Sequence, residues 1–153
     1  MAKKSQIPFY TRLGNILTLT LMRAGFKLVG PYLFFGNYPM YMLTVRGRKS
    51  GQPHTVVLAL IKRNGKRYMS SPYGIVDWVR NLRAAGEAIL TRGRRSETVN
   101  ARELPVDEAA LLLREEVKAG NPFARFFGVT ANSSPEEFER AAVAHPVFVL
   151  ERK

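Results

Sequence analysis

Apolar residues recur at helical spacing in one long stretch near the start of the chain. Within Phe9–Leu28 they fall three or four residues apart on one face, and Arg12, Arg23 and Lys27 lie on the other. This pattern predicts an amphipathic N-terminal helix. Two roles remain open for it: a helix that caps the domain or forms a dimer contact, or a helix that lies on an anionic membrane surface. Its uncharged run, Leu13–Met22, is shorter than the roughly 20 residues that cross a bilayer.

Beyond residue 40 the pattern changes to short apolar runs, rich in β-branched and aromatic residues, between glycine, proline and asparagine signals. The predicted strands are Tyr41–Val45, Thr55–Lys62, Lys66–Ser71, Glu87–Arg92, Glu97–Leu104 and Val147–Glu151. Asn64 and Gly65 predict a tight hairpin between two of them, because both central residues of a type I′ turn need positive φ.

Three short helices are predicted between these strands: Val76–Ala85, a helix that opens with Asp107 and runs to Lys118, and one that begins at the capping box of Ser134 and Glu137. Antiparallel strands with short helical inserts predict an α+β domain built on a partly closed barrel. We expect residues 1–36 to form the N-terminal helix and its connection, and residues 37–153 to form the barrel domain.

The composition limits the kinds of metal-binding and catalytic site that the chain can form. The chain has 153 residues, an apolar fraction of 46% and no cysteine, which suits one globular domain and excludes disulfides and thiolate metal sites. The two histidines, His54 and His145, lie far apart without nearby carboxylates, so neither a metal site nor a histidine-based triad is expected.

The charge is concentrated in the first half of the chain. The net charge is +12, and residues 1–76 hold twelve basic residues while no acidic residue precedes Asp77. This imbalance favours an anionic partner: nucleic acid, anionic lipid or a polyanionic cofactor. Nucleic acid is the least favoured, because the basic residues cluster in one glycine loop and no nucleic-acid-binding motif is present.

That loop lies within Val45–Leu60, which reads VRGRKSGQPHTVVLAL. Gly47 and Gly51 flank Arg48 and Lys49. Glycine lets backbone N–H groups turn toward a ligand, and basic side chains add charge-assisted donors, so the loop suits a phosphate. A solvated turn with scattered charges is the alternative from the loop alone.

The predicted helix Val76–Ala85 carries Trp78, and Asn81 follows three residues later on the same face. A planar ligand along Tyr73 or Trp78 would leave its phosphate between Asn81 and the basic loop, near a helix N-terminus that attracts anions. The alternative is that Trp78 packs in the core.

Together, GRKSGQPHTVVL and the later YG…DWVRNLRAAG closely resemble the deazaflavin (F420)-dependent nitroreductase family, from about Tyr41 to Leu150. These proteins are split β-barrel oxidoreductases related to flavin-binding split barrels. The resemblance implies the coenzyme F420, an 8-hydroxy-5-deazaflavin whose phospholactyl and glutamate tail is acidic and would match a positive pocket.

The resemblance and the residue pattern together give a set of coenzyme-binding residues. Arg48, Lys49 and Ser50 match the family's phosphate loop, and Trp78 and Asn81 match helix residues that wall the pocket and reach the phosphate. The full set is Arg48, Lys49, Ser50, Gly51, Gln52, His54, Ser70, Ser71, Tyr73, Trp78 and Asn81. At His54 the family commonly has arginine, and the turn before the helix is shorter than in many members.

The expected function is hydride transfer from reduced F420 to a small apolar acceptor such as a quinone, a nitroaromatic or an unsaturated compound. The coenzyme supplies the chemistry, so no catalytic residue is predicted. Phe123, Phe126 and Phe127 are expected either to line the substrate pocket or to pack as core. The alternative function is a non-catalytic protein that binds the deazaflavin or a lipid at the membrane surface. We expect a cytoplasmic monomer or homodimer, peripheral to the inner face of the membrane if the N-terminal helix binds there.

Overall fold

The computed structural model describes residues 34–153, so the predicted helix Phe9–Leu28 lies outside the part described. The strands are β1 (Phe34–Phe35), β2 (Tyr38–Arg46), β3 (Pro53–Ala59), β4 (Ile61–Arg63), β5 (Lys66–Ser70), β6 (Glu87–Arg92), β7 (Arg95–Glu103) and β8 (Val147–Arg152). The helices are α1 (Asp77–Ala85), α2 (Val106–Lys118), a short 3₁₀ helix (Ala124–Phe126) and α3 (Pro135–Ala144).

All strand pairs are antiparallel, and the order along the sheet is β1-β2-β6-β7-β8-β5-β4, with β3 also paired to β2. Strands β3 and β4 are separated by Leu60 alone, whose N–H donates to the carbonyl of Pro39 at 2.9 Å. One stretch of chain therefore pairs first with β2 and then with β5, which curls the sheet so that its ends meet. The α+β barrel expected from the sequence is confirmed.

Apolar side chains at alternate positions of the strands fill the interior of the barrel. Leu43, Val45, Leu90 and Val99 are each no more than 1% exposed and belong to one apolar cluster. Side chains of successive strand residues point to opposite faces, so the same strands leave polar residues outside. This inner cluster is also the surface against which α1 packs.

A second apolar cluster lies between the sheet and the other two helices. Leu113 of α2, Phe138 of α3 and Val147 of β8 are almost fully buried in it. Strand β8 is consequently buried on both faces from Val147 to Leu150, which explains why its sequence is a continuous apolar run.

The structure contains the hairpin turn and the helix cap that the sequence predicts. Asn64 and Gly65 have φ of 52° and 73°, as the hairpin requires. The Ser134 side chain accepts from the Glu137 N–H, and the Glu137 carboxylate accepts from the Ser134 N–H, which completes the capping box. The prediction of a single strand over Thr55–Lys62 is wrong, because the chain changes pairing partner at Leu60 and forms two strands. Within residues 34–153 no helix is long and apolar enough to cross a membrane.

Candidate functional site

The basic loop, residues 47–52, is a tight connection between β2 and β3. Its closing hydrogen bonds run from Gly47 N to Gln52 O at 2.7 Å and from Gly51 N to Gly47 O at 2.9 Å. Gly51 has φ of +69°, and a Cβ on Gly47 would lie 2.7 Å from both Ser50 Oγ and His54 Nε2. Gly51 is therefore favoured by its backbone conformation, and a side chain at Gly47 would displace Ser50 and His54.

Ser50 and His54 organise the tip of the basic loop. The Ser50 hydroxyl accepts a hydrogen bond from Gln52 N at 3.2 Å and lies 3.3 Å from His54 Nε2. These contacts fix the backbone at the position where the loop presents its basic side chains. The structure thus brings Ser50, Gln52 and His54 together.

Arg48 ties the basic loop to helix α1. Its Nη1 donates to Asn81 Oδ1 at 2.8 Å, and its backbone N–H donates to the same oxygen at 3.2 Å. Asn81 is only 6% exposed, so this oxygen has a fixed position on the helix. The Arg48 guanidinium also lies 3.5 Å from Asp77 Oδ1, an exposed carboxylate that is equally close to Arg80. The loop and the helix are therefore one preorganised unit.

Lys49 follows Arg48 at the exposed tip of the loop. Within residues 34–153 no hydrogen bond or ion pair connects its ammonium group to another side chain. Arg48 is held by protein groups, whereas Lys49 is available to a ligand. The two neighbouring basic side chains of this loop therefore differ: Arg48 is held in one position by hydrogen bonds, and Lys49 is not.

A cavity of about 580 Å³ lies where the loop, the start of β3 and helix α1 meet. It is lined by Val45, Gly47, Arg48, Lys49, Ser50, Pro53, His54, Thr55, Val56, Asp77, Trp78 and Asn81. The cavity therefore has a cationic side formed by the loop and an apolar side formed by strand residues and the indole. The apolar residues Val45 and Val56 were not predicted as site residues; the alternation of their strands, which turns them toward the barrel interior, is the signal that could have found them.

Trp78 belongs to both the cavity and the core. Its side chain is 8% exposed, packs in the inner apolar cluster and lies 5.9 Å from the Phe148 ring between centroids. It also lines the cavity beside Asn81. The two alternatives left open by the sequence are therefore not exclusive.

The start of α1 faces this region without a side-chain cap. Val76 occupies the N-cap position with an extended backbone, and no side chain accepts from the first-turn N–H groups. These N–H groups carry the partial positive charge of the helix N-terminus. Asp77 in the same turn offsets part of it.

Ser70 and Ser71 lie at the end of β5 and are buried. The Ser71 hydroxyl donates to the carbonyl of Gly74, and the Ser71 carbonyl lies 2.9 Å from His145 Nδ1. Neither serine is among the residues that line the loop cavity. Tyr73 is 54% exposed and packs with its ring 5.1 Å from that of Phe126. The structure thus brings the loop residues together with Trp78 and Asn81, and sets these three residues in the adjacent turn.

The three phenylalanines of the aromatic segment have different surroundings. Phe127 is 3% exposed and packs in the second apolar cluster, whereas Phe126 is half-buried beside Tyr73. Phe123 lies 4.9 Å from the ring of Phe35. Of the three, Phe126 is the one that lies against the turn before α1 and leaves part of its ring accessible.

The sequence matches the model of the F420H(2)-dependent quinone reductase family over residues 24–126, more than half of the chain. The chain belongs to this family. The enzyme is an F420-dependent oxidoreductase, and F420 is its coenzyme. The resemblance seen in the sequence is confirmed.

Solved structures support the same conclusion. An F420-H2-dependent reductase, FDR-A, is similar with 26% identity and a TM-score of 0.52, covering 74% of this chain and 94% of its own. A protein described as a domain-swapped dimer is similar in fold, with 22% identity, a TM-score of 0.54 and coverage of 89% and 97%. The split β-barrel fold is therefore confirmed. A comparison with curated proteins gave no match.

The residues around the cavity suit this coenzyme. Its phosphate and glutamate groups are acidic and its ring system is planar, and the cavity combines Arg48 and Lys49 with the indole of Trp78. Arg48 is already held in place by Asn81. A cation fixed before binding loses little side-chain entropy when the anion arrives.

Proposed function

We propose that the F420-dependent reductase binds its coenzyme at the unit formed by the basic loop and helix α1. Arg48, Lys49 and Asn81 take the acidic part, and Trp78 borders the ring system. The observation that supports this assignment is the pair of hydrogen bonds from Arg48 to Asn81 Oδ1, which joins the two predicted motifs at the rim of one cavity.

Bound F420 supplies hydride chemistry, so the protein has to bind, orient and exclude water. The loop is held by its own backbone hydrogen bonds and by Asn81, which gives the charged part of the coenzyme a fixed attachment. Val45, Val56 and Trp78 provide an apolar wall that keeps water from that side of the cavity. No side chain needs to act as a nucleophile.

We further propose that the acceptor is a small apolar molecule, with a quinone as the first candidate and nitroaromatic or unsaturated compounds after it. The family description supports the quinone. Tyr73 and Phe126, an aromatic pair at the turn before α1, are the proposed acceptor contacts, with Ser70 and Ser71 shaping the turn beneath them. Phe123, beside Phe35, and Phe127, in the second apolar cluster, belong to the same aromatic segment.

The test is an anaerobic reaction of the purified full chain with reduced F420 and menadione, followed by the return of the oxidised deazaflavin absorbance. We expect oxidation that depends on both protein and acceptor. Phe126→Leu should raise the KM for menadione with little change in the affinity for F420, because Phe126 is not part of the loop cavity. Tight F420 binding without acceptor-dependent oxidation would instead favour the non-catalytic carrier.

A further inference from the structure

The end of the barrel opposite the basic loop is rich in arginine. The loop follows Arg46 at the end of β2, whereas the β6–β7 hairpin lies toward the other end of that strand, since Met42 is paired with Thr91. Arg46 and Tyr41 are five residues apart, so the two ends are about 17 Å apart at the usual rise of a strand. This second end is therefore separate from the coenzyme loop.

At this second end, the face of β6 and β7 that points into the barrel carries charged residues instead of apolar ones. In β6 the buried positions Ala88 and Leu90 are followed on the same face by Arg92. In β7, Glu97 and Arg95 precede the buried Val99 on its face. Alternation thus directs these side chains to the barrel opening.

Two of these side chains, Glu97 and Arg92, have partners at this opening. Glu97 accepts from Arg152 Nε at 3.1 Å and also binds Arg67. The guanidinium of Arg92 lies 4.8 Å from the Phe34 ring centroid and 5.4 Å from that of Tyr41. These arginines come from three different strands.

A cavity of about 910 Å³ opens among these side chains. We call it the arginine mouth; it is lined by Tyr41, Leu90, Arg92, Arg94, Arg95, Ser96, Glu97 and Arg152. Four arginines and one glutamate give the lining an excess of three positive charges (4 − 1). Arg94 and Arg95 are exposed, and within residues 34–153 neither forms an ion pair or hydrogen bond through its side chain.

The Glu97 carboxylate is already paired with Arg67 and Arg152. The hydrogen bond from Arg67 is the main cause that lowers the pKa of the Glu97 carboxyl below its ordinary value, with Arg152 contributing. The carboxylate therefore stays ionised and fixes two arginines at one side of the mouth. It does not extend to the hairpin arginines on the other side.

We propose that the arginine mouth is a second binding site, which takes a phosphate group carried by a ligand with an apolar portion. Arginine presents forked donors that match phosphate oxygens, and mouths of β-barrels are common ligand sites. Tyr41 and Leu90 provide an apolar floor for the remainder of the ligand. A free organic phosphate and a phospholipid headgroup share this chemistry.

The experiment uses the full chain and two probes, inorganic pyrophosphate in calorimetric titration and phosphatidylglycerol vesicles in flotation, with phosphatidylcholine vesicles as the neutral reference. The test variant is Arg94→Gln with Arg95→Gln. The matched control is Arg114→Gln with Arg140→Gln, which removes the same charge from exposed positions on α2 and α3. Lys49→Ala reports on the basic loop.

We expect pyrophosphate binding that falls at least tenfold in the hairpin variant and changes less than twofold in the control. Vesicle association without pyrophosphate binding, lost only in the hairpin variant, would support the same phosphate recognition and identify the lipid as the source. Equal losses in the hairpin and control variants, a loss confined to Lys49→Ala, or no binding of either probe would overturn the proposal.

Discussion

Two arginines in this protein each join a strand or its following loop to a helix, and they differ in what surrounds them. Arg48 binds Asn81 of α1 at the rim of the coenzyme cavity, with a side chain that is 27% exposed. Arg63, at the end of β4, binds Glu116 of α2, whose side chain is fully buried. The two arginines are almost equally exposed, at 27% and 28%, so the difference lies in the partner: Asn81 offers one neutral amide oxygen, whereas both carboxylate oxygens of Glu116 accept hydrogen bonds.

In the Arg63 contact, protein groups bind both oxygens of the buried Glu116 carboxylate. Nε of Arg63 donates to Glu116 Oε1 at 3.1 Å, and Asn121 Nδ2 donates to Oε2 at 2.8 Å. Burial and a hydrogen bond to the same carboxylate raise the pKa of Tyr38 well above its ordinary value, and the Glu116 hydrogen bond likewise raises the pKa of Arg63. Such a network fixes the position of α2 against the sheet.

The Arg48 contact pairs a cation with a neutral amide. Asn81 orients the guanidinium without neutralising it, and the nearby Asp77 is exposed and 3.5 Å away. The Glu116 carboxylate neutralises Arg63, whereas a cation held by an amide remains able to bind an anion. Substitutions at the two contacts should therefore have different consequences.

The largest effect is expected for Glu116→Ala. Removing this carboxylate leaves the buried amide of Asn121 without its acceptor and takes from Arg63 its buried partner, which should lower the free energy of unfolding by about 3 kcal/mol. Urea denaturation measures it, and the affinity for F420 should change little. Glu115→Ala is the matched control, since that carboxylate contacts the same arginine but is 58% exposed; it should cost less than about 1 kcal/mol. Similar losses in both variants would show that burial does not distinguish the two contacts.

Asn81→Ala should mainly affect coenzyme binding. It removes both hydrogen bonds that orient Arg48, each with a net contribution of about 1 kcal/mol, so the Kd for F420 should rise by up to about thirtyfold. Fluorescence titration with oxidised F420 measures this change, and Asn100→Ala on exposed β7 is the control. An unchanged Kd would mean that Arg48 does not need its anchor.

Asp77→Asn should have the smallest effect, in the opposite direction. The carboxylate competes weakly for Arg48 and lines the cavity, so its removal should tighten F420 binding about two- to fourfold, within the range of less than about 1 kcal/mol typical of exposed pairs. The gain should shrink as salt is added. Weaker binding would indicate that Asp77 supports the site.

Much of the fold follows from the sequence because its signals are local. Asn64-Gly65, the Ser134 capping box and the alternation in β6 depend on neighbours within a few residues. The bend at Leu60 was missed because it depends on which strand lies opposite. The contact between Arg63 and Glu116 joins residues 53 positions apart, and no local pattern identifies it.

In the candidate site, too, some features follow from local sequence and others depend on contacts between distant residues. The helical spacing of Trp78 and Asn81 placed them on one face, and the glycines of the basic loop indicated an anion site, so these two parts could be predicted separately. That Asn81 Oδ1 accepts from Arg48 depends on how α1 packs beside β2, which only the structure shows. The places of Ser70 and Ser71 depend likewise on pairing with β8 and on contacts with His145.

The most direct test of the central claim is the affinity of F420 for Lys49→Ala, measured by fluorescence titration at low salt. Lys49 lies at the exposed tip of the basic loop, and Lys66→Ala, at the exposed start of β5, removes the same charge away from the cavity. Because charge-assisted hydrogen bonds contribute roughly 1.5–3 kcal/mol, the Kd should rise about tenfold or more for Lys49→Ala, and it should be nearly unchanged for Lys66→Ala. An unchanged Kd for Lys49→Ala, or equal increases in both variants, would contradict the assignment of the coenzyme to this loop.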